Sequence, residues 1–174
     1  GSNRAEARVR GSTPTGWRNT RMPLERLKLG LGEREIEVSY RAGRDGRMSR
    51  AVLPGMIERG RGVIVNNASV LGWRAQAGQS HYAAAKAGVM ALTRCAALEV
   101  ADKGVRINAV SPSFAAHPFL EKSIPKEELE VLEAREAYGR GAEPWEVANV
   151  MVFLASDYSS YMTGEVVSVS SQQP

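Results

Sequence analysis

Three consecutive segments establish the architecture: RGVIVNNAS at residues 61–69, SHYAAAKAGVMALTRCAALEV at 80–100 and GVRINAVSP at 104–112. Val63 to Val65 is a continuous apolar run, which is typical of a strand buried on both faces. The second segment predicts a long helix rich in small residues, with Ser80 as its candidate N-cap. Gly104 predicts the end of this helix, and Val105 to Val110 predicts the next strand. The order strand, helix, strand predicts an α/β domain with a parallel sheet.

The flanking segments continue this alternation. Residues 49–60 predict the end of a helix that stops at Gly60. Residues 126–136 predict a charged helix with a solvated face, and residues 166–169 predict a last strand. The chain from residue 48 to residue 174 is therefore expected to form one α/β unit.

The first 47 residues have a different composition. Residues 1–50 hold 12 Lys and Arg against 6 Asp and Glu and only three alanines, whereas the remainder is slightly acidic and holds 20 alanines. This shift predicts a boundary between an Arg-rich segment at 1–47 and a second portion at 48–174. A solvated segment accounts for the basic charge. Nucleic-acid binding is disfavoured, because basic content alone is weak evidence for it.

Local patterns in the first segment predict two short elements. Leu24, Leu27 and Leu31 fit one face of a helix. Residues 35–40 alternate apolar and polar side chains, which predicts a strand. The arginine and glycine excess of residues 3–47 is also what GC-rich coding DNA gives when it is read in the wrong frame, so a non-native reading frame is a further interpretation.

Neither glycine pattern in this segment forms a phosphate-binding loop. Gly30 and Gly32 lack the third glycine of the dinucleotide fingerprint, because position 35 is glutamate. Glu33 and Glu35 also place negative charge where a pyrophosphate would approach backbone amides. A second pattern that opens at Gly16 lacks its later glycines. The sequence therefore predicts weak nucleotide binding by this chain alone.

The composition excludes several protein classes. The chain has 174 residues, of which 43% are hydrophobic and 24% charged, and this is unlike a collagen-like, coiled-coil or disordered chain. Its apolar runs are too short to span a bilayer, and its Arg-rich start has no secretory signal, so no membrane partner is expected. The single cysteine, Cys95, allows no internal disulfide, which favours a cytoplasmic protein.

Few other residues offer metal or nucleophile chemistry. His81 and His117 are too far apart, and too poor in carboxylate or thiol neighbours, to predict a metal site. Cys95 lies on the long helix and is expected to be a small core residue.

Tyr82 and Lys86 are the main chemical signal. They are four residues apart, so a helix places both side chains on one face, one turn from each other. A nearby ammonium favours the ionised form of a phenol, which suits the pair to proton transfer. A tyrosine beside a lysine on a helix surface is by itself common. Ser69 strengthens the signal, because it follows a predicted parallel strand and ligands bind at the carboxyl ends of such strands.

Together these residues resemble the catalytic half of the short-chain dehydrogenase/reductase family. The resemblance covers residues 48–172. It includes YAAAKAG at 82–88, EPWEVA at 143–148, FLASD at 153–157 and YMTG at 161–164. It implies a doubly wound, Rossmann-like parallel sheet that lacks the family's N-terminal βαβαβ half.

The resemblance also implies roles for individual residues. Ser69 would hydrogen-bond a substrate carbonyl, Tyr82 would give its proton to that oxygen, and Lys86 would support the tyrosine and hold a cofactor ribose. The implied cofactor, NAD or NADP, would be bound by Tyr82, Lys86, Pro112 and Ser113. The substrate would be bound by Ser69, Trp73 and Phe114.

These roles imply an oxidoreductase that interconverts a carbonyl and a secondary alcohol. Trp73 and residues 111–119 look most like actinobacterial members that act on CoA thioesters from steroid-ring breakdown. The alternative is a truncated, non-catalytic relative that serves as an oligomerisation or interaction module. A homo-oligomer is expected in either case, because the Val63 to Val65 strand would lack its inner neighbour and present an open edge.

Several positions depart from the family pattern. The family's glycine-rich loop and ribose-binding acid have no match in residues 1–47, and this loss removes the residues that select NAD or NADP. The family's active-site asparagine falls at Arg41 by ungapped count. The family's Pro-Gly is Pro112-Ser113, and its closing Gly-Gly is Ser170-Ser171.

Overall fold

The computed structural model describes residues 27–31, 34–38, 42–116 and 124–171. The strands are β1 (Leu27–Leu31), β2 (Arg34–Val38), β3 (Gly62–Asn67), β4 (Val105–Pro112) and β5 (Val166–Val169). The helices are α1 (Ala42–Glu58), α2 (Ser80–Val100), α3 (Lys126–Arg135) and α4 (Pro144–Ala155). Among the described helices, none is both long enough and apolar enough to cross a membrane.

β4 is the central strand of a parallel sheet with the order β3-β4-β5. In its register, Ile107 lies opposite Ile64 of β3, and Val110 lies opposite Val167 of β5. β4 is the most deeply buried of the three strands, because it has a neighbour on each edge and helices above and below. The predicted α/β class with a parallel sheet is confirmed.

Helices cover both faces of β4. Ile107 packs in one cluster with Leu53 of α1 and Ala97 of α2. Val110 packs in another cluster with Val147 and Leu154 of α4. Residues 107 and 110 are an odd number of positions apart, so their side chains point to opposite faces of the strand. The sheet is therefore doubly wound, as the resemblance implied.

β3 is less buried than its apolar run predicted. Val63, Ile64 and Val65 are each half-buried, so the expectation of burial on both faces is wrong. The physical reason is that β3 pairs with β4 on one side, while no other described strand pairs with its opposite edge.

The predicted helix through Leu27 and Leu31 is also wrong. Residues 27–31 form β1, which pairs antiparallel with β2 so that Leu27 lies opposite Val38. Leu27, Leu29 and Leu31 alternate with the period of a strand, and Gly30 disfavours a helix, so strand pairing prevails. The predicted strand at 35–40 is confirmed at residues 34–38.

Two details of the helices differ from expectation. Gln79, not Ser80, occupies the N-cap position of α2, and no side chain caps this helix end. Cys95 is exposed and not in the core, because it lies on the side of α2 away from the buried Ala96 and Ala97.

The other expectations on Leu24, Arg41 and His117 fall outside the described residues. α1 begins at Ala42, so it runs across the division at residue 47, which stays a prediction.

Two polar side chains of β4 organise the chain between α4 and β5. The Arg106 guanidinium donates to the carbonyl oxygens of Ser156 and Ser159 at 2.9 and 3.0 Å. Asn108 Nδ2 donates to the carbonyl oxygen of Met162 at 2.8 Å. These bonds tie the backbone of residues 156–162 to β4, so the two side chains fix the path of this segment against the sheet.

The N-terminus of α4 is held by a capping box. Glu143 and Glu146 exchange hydrogen bonds between their side chains and each other's backbone amides. Arg140 donates to both carboxylate oxygens of Glu146 at 2.8 Å. Together with the bond from the Glu143 amide, this pairing lowers the pKa of Glu146 to about 2.

We expect Gly104→Ala to destabilise the protein far more than Gly78→Ala. Both glycines have a positive φ, +72° and +78°. Either alanine therefore carries the strain of the left-handed region, about 1 kcal/mol. A Cβ on Gly104 would also collide with the carbonyl oxygen of Gly60, whereas a Cβ on Gly78 would meet nothing within 4 Å. In urea unfolding, we expect losses of about 1 kcal/mol for Gly78→Ala and about 3 kcal/mol or more for Gly104→Ala. Equal losses would contradict the close approach of residues 60 and 104.

Candidate active site

Two of the predicted site residues lie just after the carboxyl ends of parallel strands. Ser69 follows β3, and Ser113 follows β4. Parallel strands end on the same edge of a sheet, and this edge is where ligands bind in doubly wound folds. The site is therefore built from the segments that leave β3 and β4 and from the start of α2.

The end of β3 is fixed to α2 by a buried hydrogen bond. Asn66 Nδ2 donates to Thr93 Oγ1 at 2.9 Å, and this hydroxyl donates to the carbonyl oxygen of Val89 at 2.9 Å. Asn66 is 7% exposed and Thr93 is fully buried. Because a buried amide without a partner is costly, this bond selects one position of α2 along β3.

Lys86 forms a second link between β3 and α2. Its Nζ donates to the carbonyl oxygen of Asn67 at 2.7 Å. The same ammonium lies 5.6 Å from the centroid of the Tyr82 ring. The helix thus places Tyr82 and Lys86 together on one face, as their spacing predicts, and it brings that face to the end of β3.

Ser69 begins a short turn at residues 70–72 that packs on α2. Its Oγ accepts a hydrogen bond from the amide of Leu71 at 3.3 Å, and the residue is 8% exposed. A Cβ on Gly72 would lie 2.6 Å from Cε of Met90 and 3.1 Å from the amide nitrogen of Ala87, so a glycine favours the close approach of the turn to α2. Ser69 is held by this turn, and among the described residues its Oγ contacts Leu71 and not Tyr82.

The segment that leaves β4 carries Pro112, Ser113 and Phe114. The amide of Ser113 donates to the carbonyl oxygen of Val169 at 3.1 Å, and the carbonyl oxygen of Phe114 accepts from the amide of Ala142 at 2.9 Å. Pro112, Ser113 and Phe114 are half-buried. The backbone therefore holds this segment at the edge of the sheet, on the same edge as Ser69.

Trp73 lies after the turn that Ser69 begins. It is 49% exposed, and its amide donates to the carbonyl oxygen of Val70 at 2.9 Å. A half-exposed indole beside the site is available to an apolar ligand.

His81, the histidine considered as a metal ligand, is exposed. Across the described ranges, no group of three or more His, Cys, Asp or Glu side chains is placed to hold a metal ion.

Glu136 was missed by sequence reasoning. The charged pattern of residues 126–136 predicted a solvated face, and α3 itself follows that prediction, but Glu136 is only 4% exposed. It lies beside a cavity of about 160 Å³ that Ser113, Tyr138 and Arg140 also line. The available signal was the pair of serines at Ser113 and Ser171, which replace family glycines and both contact this carboxylate.

Comparisons with known proteins agree on one family. A family model described as enoyl-(acyl carrier protein) reductase matches residues 36–171. The chain is 74% identical over 113 residues to the (5R,7aS)-5-hydroxy-7a-methyl-1-oxo-2,3,5,6,7,7a-hexahydro-1H-indene-carboxyl-CoA reductase of Mycobacterium tuberculosis, which covers 65% of this chain and 43% of the relative. It is 44% identical over 122 residues to a 3-oxoacyl-(acyl-carrier-protein) reductase of Thermotoga maritima, covering 70% of this chain and 49% of the relative.

A solved structure supports the same likeness. A short-chain dehydrogenase from Mycobacterium smegmatis superposes with a TM-score of 0.55 at 58% identity, covering 75% of this chain and 47% of that one. The chain thus spans about half the length of the proteins it matches.

Ser111 and Ser159 give a matched test of the buried polar groups. Both are at most 1% exposed, but within the described residues Ser111 Oγ has no hydrogen-bond partner, whereas Ser159 Oγ bonds to Phe153, Leu154 and Arg106. We expect Ser111→Ala to raise the free energy of unfolding by about 1 kcal/mol, because it removes an unsatisfied hydroxyl. We expect Ser159→Ala to lower it by about 1–3 kcal/mol. Chemical denaturation measures both, and a loss of stability in Ser111→Ala would contradict the assignment of an unpaired hydroxyl.

Proposed function

The chain belongs to the short-chain dehydrogenase/reductase family, and from this premise we propose that it is an NAD- or NADP-dependent oxidoreductase that interconverts a carbonyl and a secondary alcohol. The observation that carries the proposal is the position of Lys86, whose ammonium bonds to Asn67 at the end of β3 and lies 5.6 Å from the Tyr82 ring. A phenol and an ammonium at the carboxyl edge of a parallel sheet form a proton-transfer pair at a ligand-binding position.

Tyr82 acts as the proton donor in this proposal. As the carbonyl carbon becomes tetrahedral, its oxygen gains negative charge and takes the phenolic proton. The negative charge left on the Tyr82 oxygen is stabilised by the Lys86 ammonium on the same helix face. Lys86 keeps its place because Asn67 accepts one of its three N–H bonds.

Ser69 orients the substrate. Its Oγ accepts a hydrogen bond from the Leu71 amide, and this contact leaves the hydroxyl hydrogen as the donor that a substrate carbonyl requires. The turn at residues 70–72 is packed on α2, so the Ser69 donor and the Tyr82 helix are parts of one rigid unit. Trp73 and Phe114 provide apolar surface for the rest of the substrate.

The nicotinamide cofactor fits one end of this site. When bound, it supplies the hydride for the carbonyl carbon. The Tyr82 hydroxyl and the Lys86 ammonium would hydrogen-bond the two hydroxyls of the ribose. Pro112 and Ser113 lie at the sheet edge, where they would contact the nicotinamide. For the pyrophosphate end, Gly30 and Gly32 do not make a glycine-rich loop, so no residue of this chain is assigned to that end.

We propose a CoA-linked steroid fragment as the substrate. The proposal is supported by the Mycobacterium tuberculosis relative, whose name specifies an indene-carboxyl-CoA, and by its 74% identity over 113 residues. The half-exposed Trp73 is suited to a fused apolar ring system. A cytoplasmic location, where CoA thioesters are made and used, accompanies this proposal.

The catalytic role of Tyr82 is tested by Tyr82→Phe. We expect carbonyl reduction, followed by nicotinamide absorbance with CoA-linked ring ketones, to fall at least about a hundredfold, because only the proton donor is removed. Lys86→Ala should also lower activity, because it removes the ammonium beside the phenol. Tyr161→Phe is the control, since Tyr161 is fully exposed and lies near Val105 at the start of β4, away from the carboxyl ends of the strands. Unchanged turnover in Tyr82→Phe would overturn the proposal.

We also propose that the chain forms a homo-oligomer through α1 and α2. Met48 on α1 is 61% exposed and Leu98 on α2 is 82% exposed. Exposed apolar side chains on neighbouring helices are typical of an interface between subunits. The edge of β3 with which no described strand pairs is a second surface on which a chain could pair. If the oligomer forms without turnover, the alternative of a non-catalytic interaction module replaces the enzyme.

Light scattering at micromolar concentration should show a dimer or a larger species. Leu98→Glu should shift the protein toward monomer, because a carboxylate in an apolar interface is costly to bury. Val152→Glu is the matched control, since Val152 is an exposed apolar residue of α4, on the other face of the sheet. A monomeric wild-type chain, or an equal shift by both variants, would contradict association through α2.

A further inference from the structure

We propose that Glu136 is a positioning residue whose buried carboxylate fixes the Ser113–Phe114 segment and the end of α3 against the edge of the sheet. Its effect on ligand binding rests on the proposed function, which assigns Ser113 and Phe114 to the cofactor and the substrate. Its effect on the segment itself does not depend on that function.

Three donors converge on this carboxylate. Oε2 accepts from Ser113 Oγ at 3.1 Å and from Ser171 Oγ at 2.8 Å, and Oε1 accepts from the amide of Phe114 at 3.3 Å. Ser113 and Phe114 follow β4, whereas Ser171 follows β5. One side chain therefore joins the segments that leave two neighbouring strands.

Within the part of the chain that the structure describes, Glu136 accepts hydrogen bonds and forms no ion pair. Arg140 lines the same cavity, but its guanidinium is bonded to Glu146 at 2.8 Å. A buried carboxylate is costly unless donors surround it, so the three contacts hold its direction firmly. Loss of the carboxylate would leave two hydroxyls and an amide to find new partners.

α3 depends on this anchor because it contributes little apolar burial. The helix has no buried residue, and Leu129 and Leu132 are only half-buried. Glu136 is the first buried residue after it. The end of α3 is therefore held to the sheet mainly by a polar contact, which is more directional than apolar packing.

The opposite side of the segment is fixed by backbone pairing. The amide of Ala142 donates to Phe114, the amide of Ala116 donates to Ala142, and each distance is 2.9 Å. The Phe114 ring lies so close to Gly141 that a Cβ there would be 2.7 Å from a ring carbon. With Ala142 on one side and Glu136 on the other, the segment and the ring have one orientation.

Ser113 and Ser171 stand where the family pattern has glycines, and a glycine has no hydroxyl to donate. Two of the three donors to Glu136 are therefore the same positions that depart from the pattern. The buried acid and the two serines form one unit, in which each serine supplies a bond that the acid requires.

Removal of the carboxylate should weaken ligand binding more than chemistry. Tyr82 and Lys86 lie on α2 and do not contact Glu136, so the proton-transfer pair is retained. For Glu136→Ala we expect KM to rise about tenfold with kcat nearly unchanged. Glu136→Gln should restore most of the wild-type KM, because its amide oxygen can accept from Phe114 and its NH₂ can donate to the serine hydroxyls.

Hydrogen exchange on the full chain tests the anchor directly. In Glu136→Ala we expect protection of the Phe114 amide to fall about tenfold, while the Val89 amide in α2 keeps its protection. Glu136→Gln should retain most of the Phe114 protection. Glu127→Gln is the matched control, since Glu127 is an exposed glutamate of α3, and it should change neither amide. Ser171→Ala, which removes one donor, should give a smaller loss at Phe114 if Glu136→Ala does not fold.

Two results would overturn the role of Glu136. One is unchanged Phe114 exchange in Glu136→Ala or, should that variant not fold, in Ser171→Ala. The other is an equal loss of protection at Phe114 and Val89, which would show a general loss of stability. An active enzyme whose KM is unaffected by Glu136→Ala would refute the effect on ligands while leaving the proposed activity intact. A wild-type chain without turnover, but with the expected exchange pattern, would instead refute the proposed function and support the anchor.

Discussion

The position of α2 on β3 is the constraint on which the site depends. Asn66 and Thr93 form a buried hydrogen bond at 2.9 Å, and Lys86 bonds to Asn67 at 2.7 Å. A shift of the helix along the strand would break both bonds and bury an unsatisfied amide, at a cost of about 1–3 kcal/mol. Because the two contacts are nearly two helical turns apart, they also prevent rotation. Tyr82 therefore has its place at the sheet edge through these polar contacts, together with the apolar packing of α2 on β4.

β4 contributes to the hydrophobic core and also leads into the candidate site. Ile107 and Ala109 pack under α2, while Arg106 and Asn108 on the other face hold the chain that leads to β5. A strand with neighbours on both edges can bury such polar side chains, because nearby backbone carbonyls satisfy them. Where β4 ends, the chain continues into the segment that Glu136 holds. A displacement of β4 within the sheet would therefore also displace Ser113 and Phe114.

Particular residues show why part of the site escaped prediction. Tyr82 and Lys86 are four residues apart, so helical geometry alone brings them together. The partners of Glu136 are 22, 23 and 35 residues away in sequence, and its own neighbourhood is charged. Local pattern therefore favoured a solvated face. Cys95 was misplaced for a related reason, since the face that α2 buries is decided by contacts with Leu53 and Ile107, and a uniformly small and apolar helix has little amphipathic signal of its own.

The sequence by itself determined the α/β class, the succession of strands and helices from residue 49 apart from α4, the pairing of Tyr82 with Lys86 and the likeness to a family whose model matches residues 36–171. These depend on neighbours within one helical turn or one strand, where periodicity and backbone geometry suffice. Tertiary structure alone decided that β3 is only half-buried, that Ser111 has no partner among the described residues and that Glu136 is buried. In each case the outcome depends on which distant segment supplies a hydrogen bond or covers a face, and short-range pattern contains no such information.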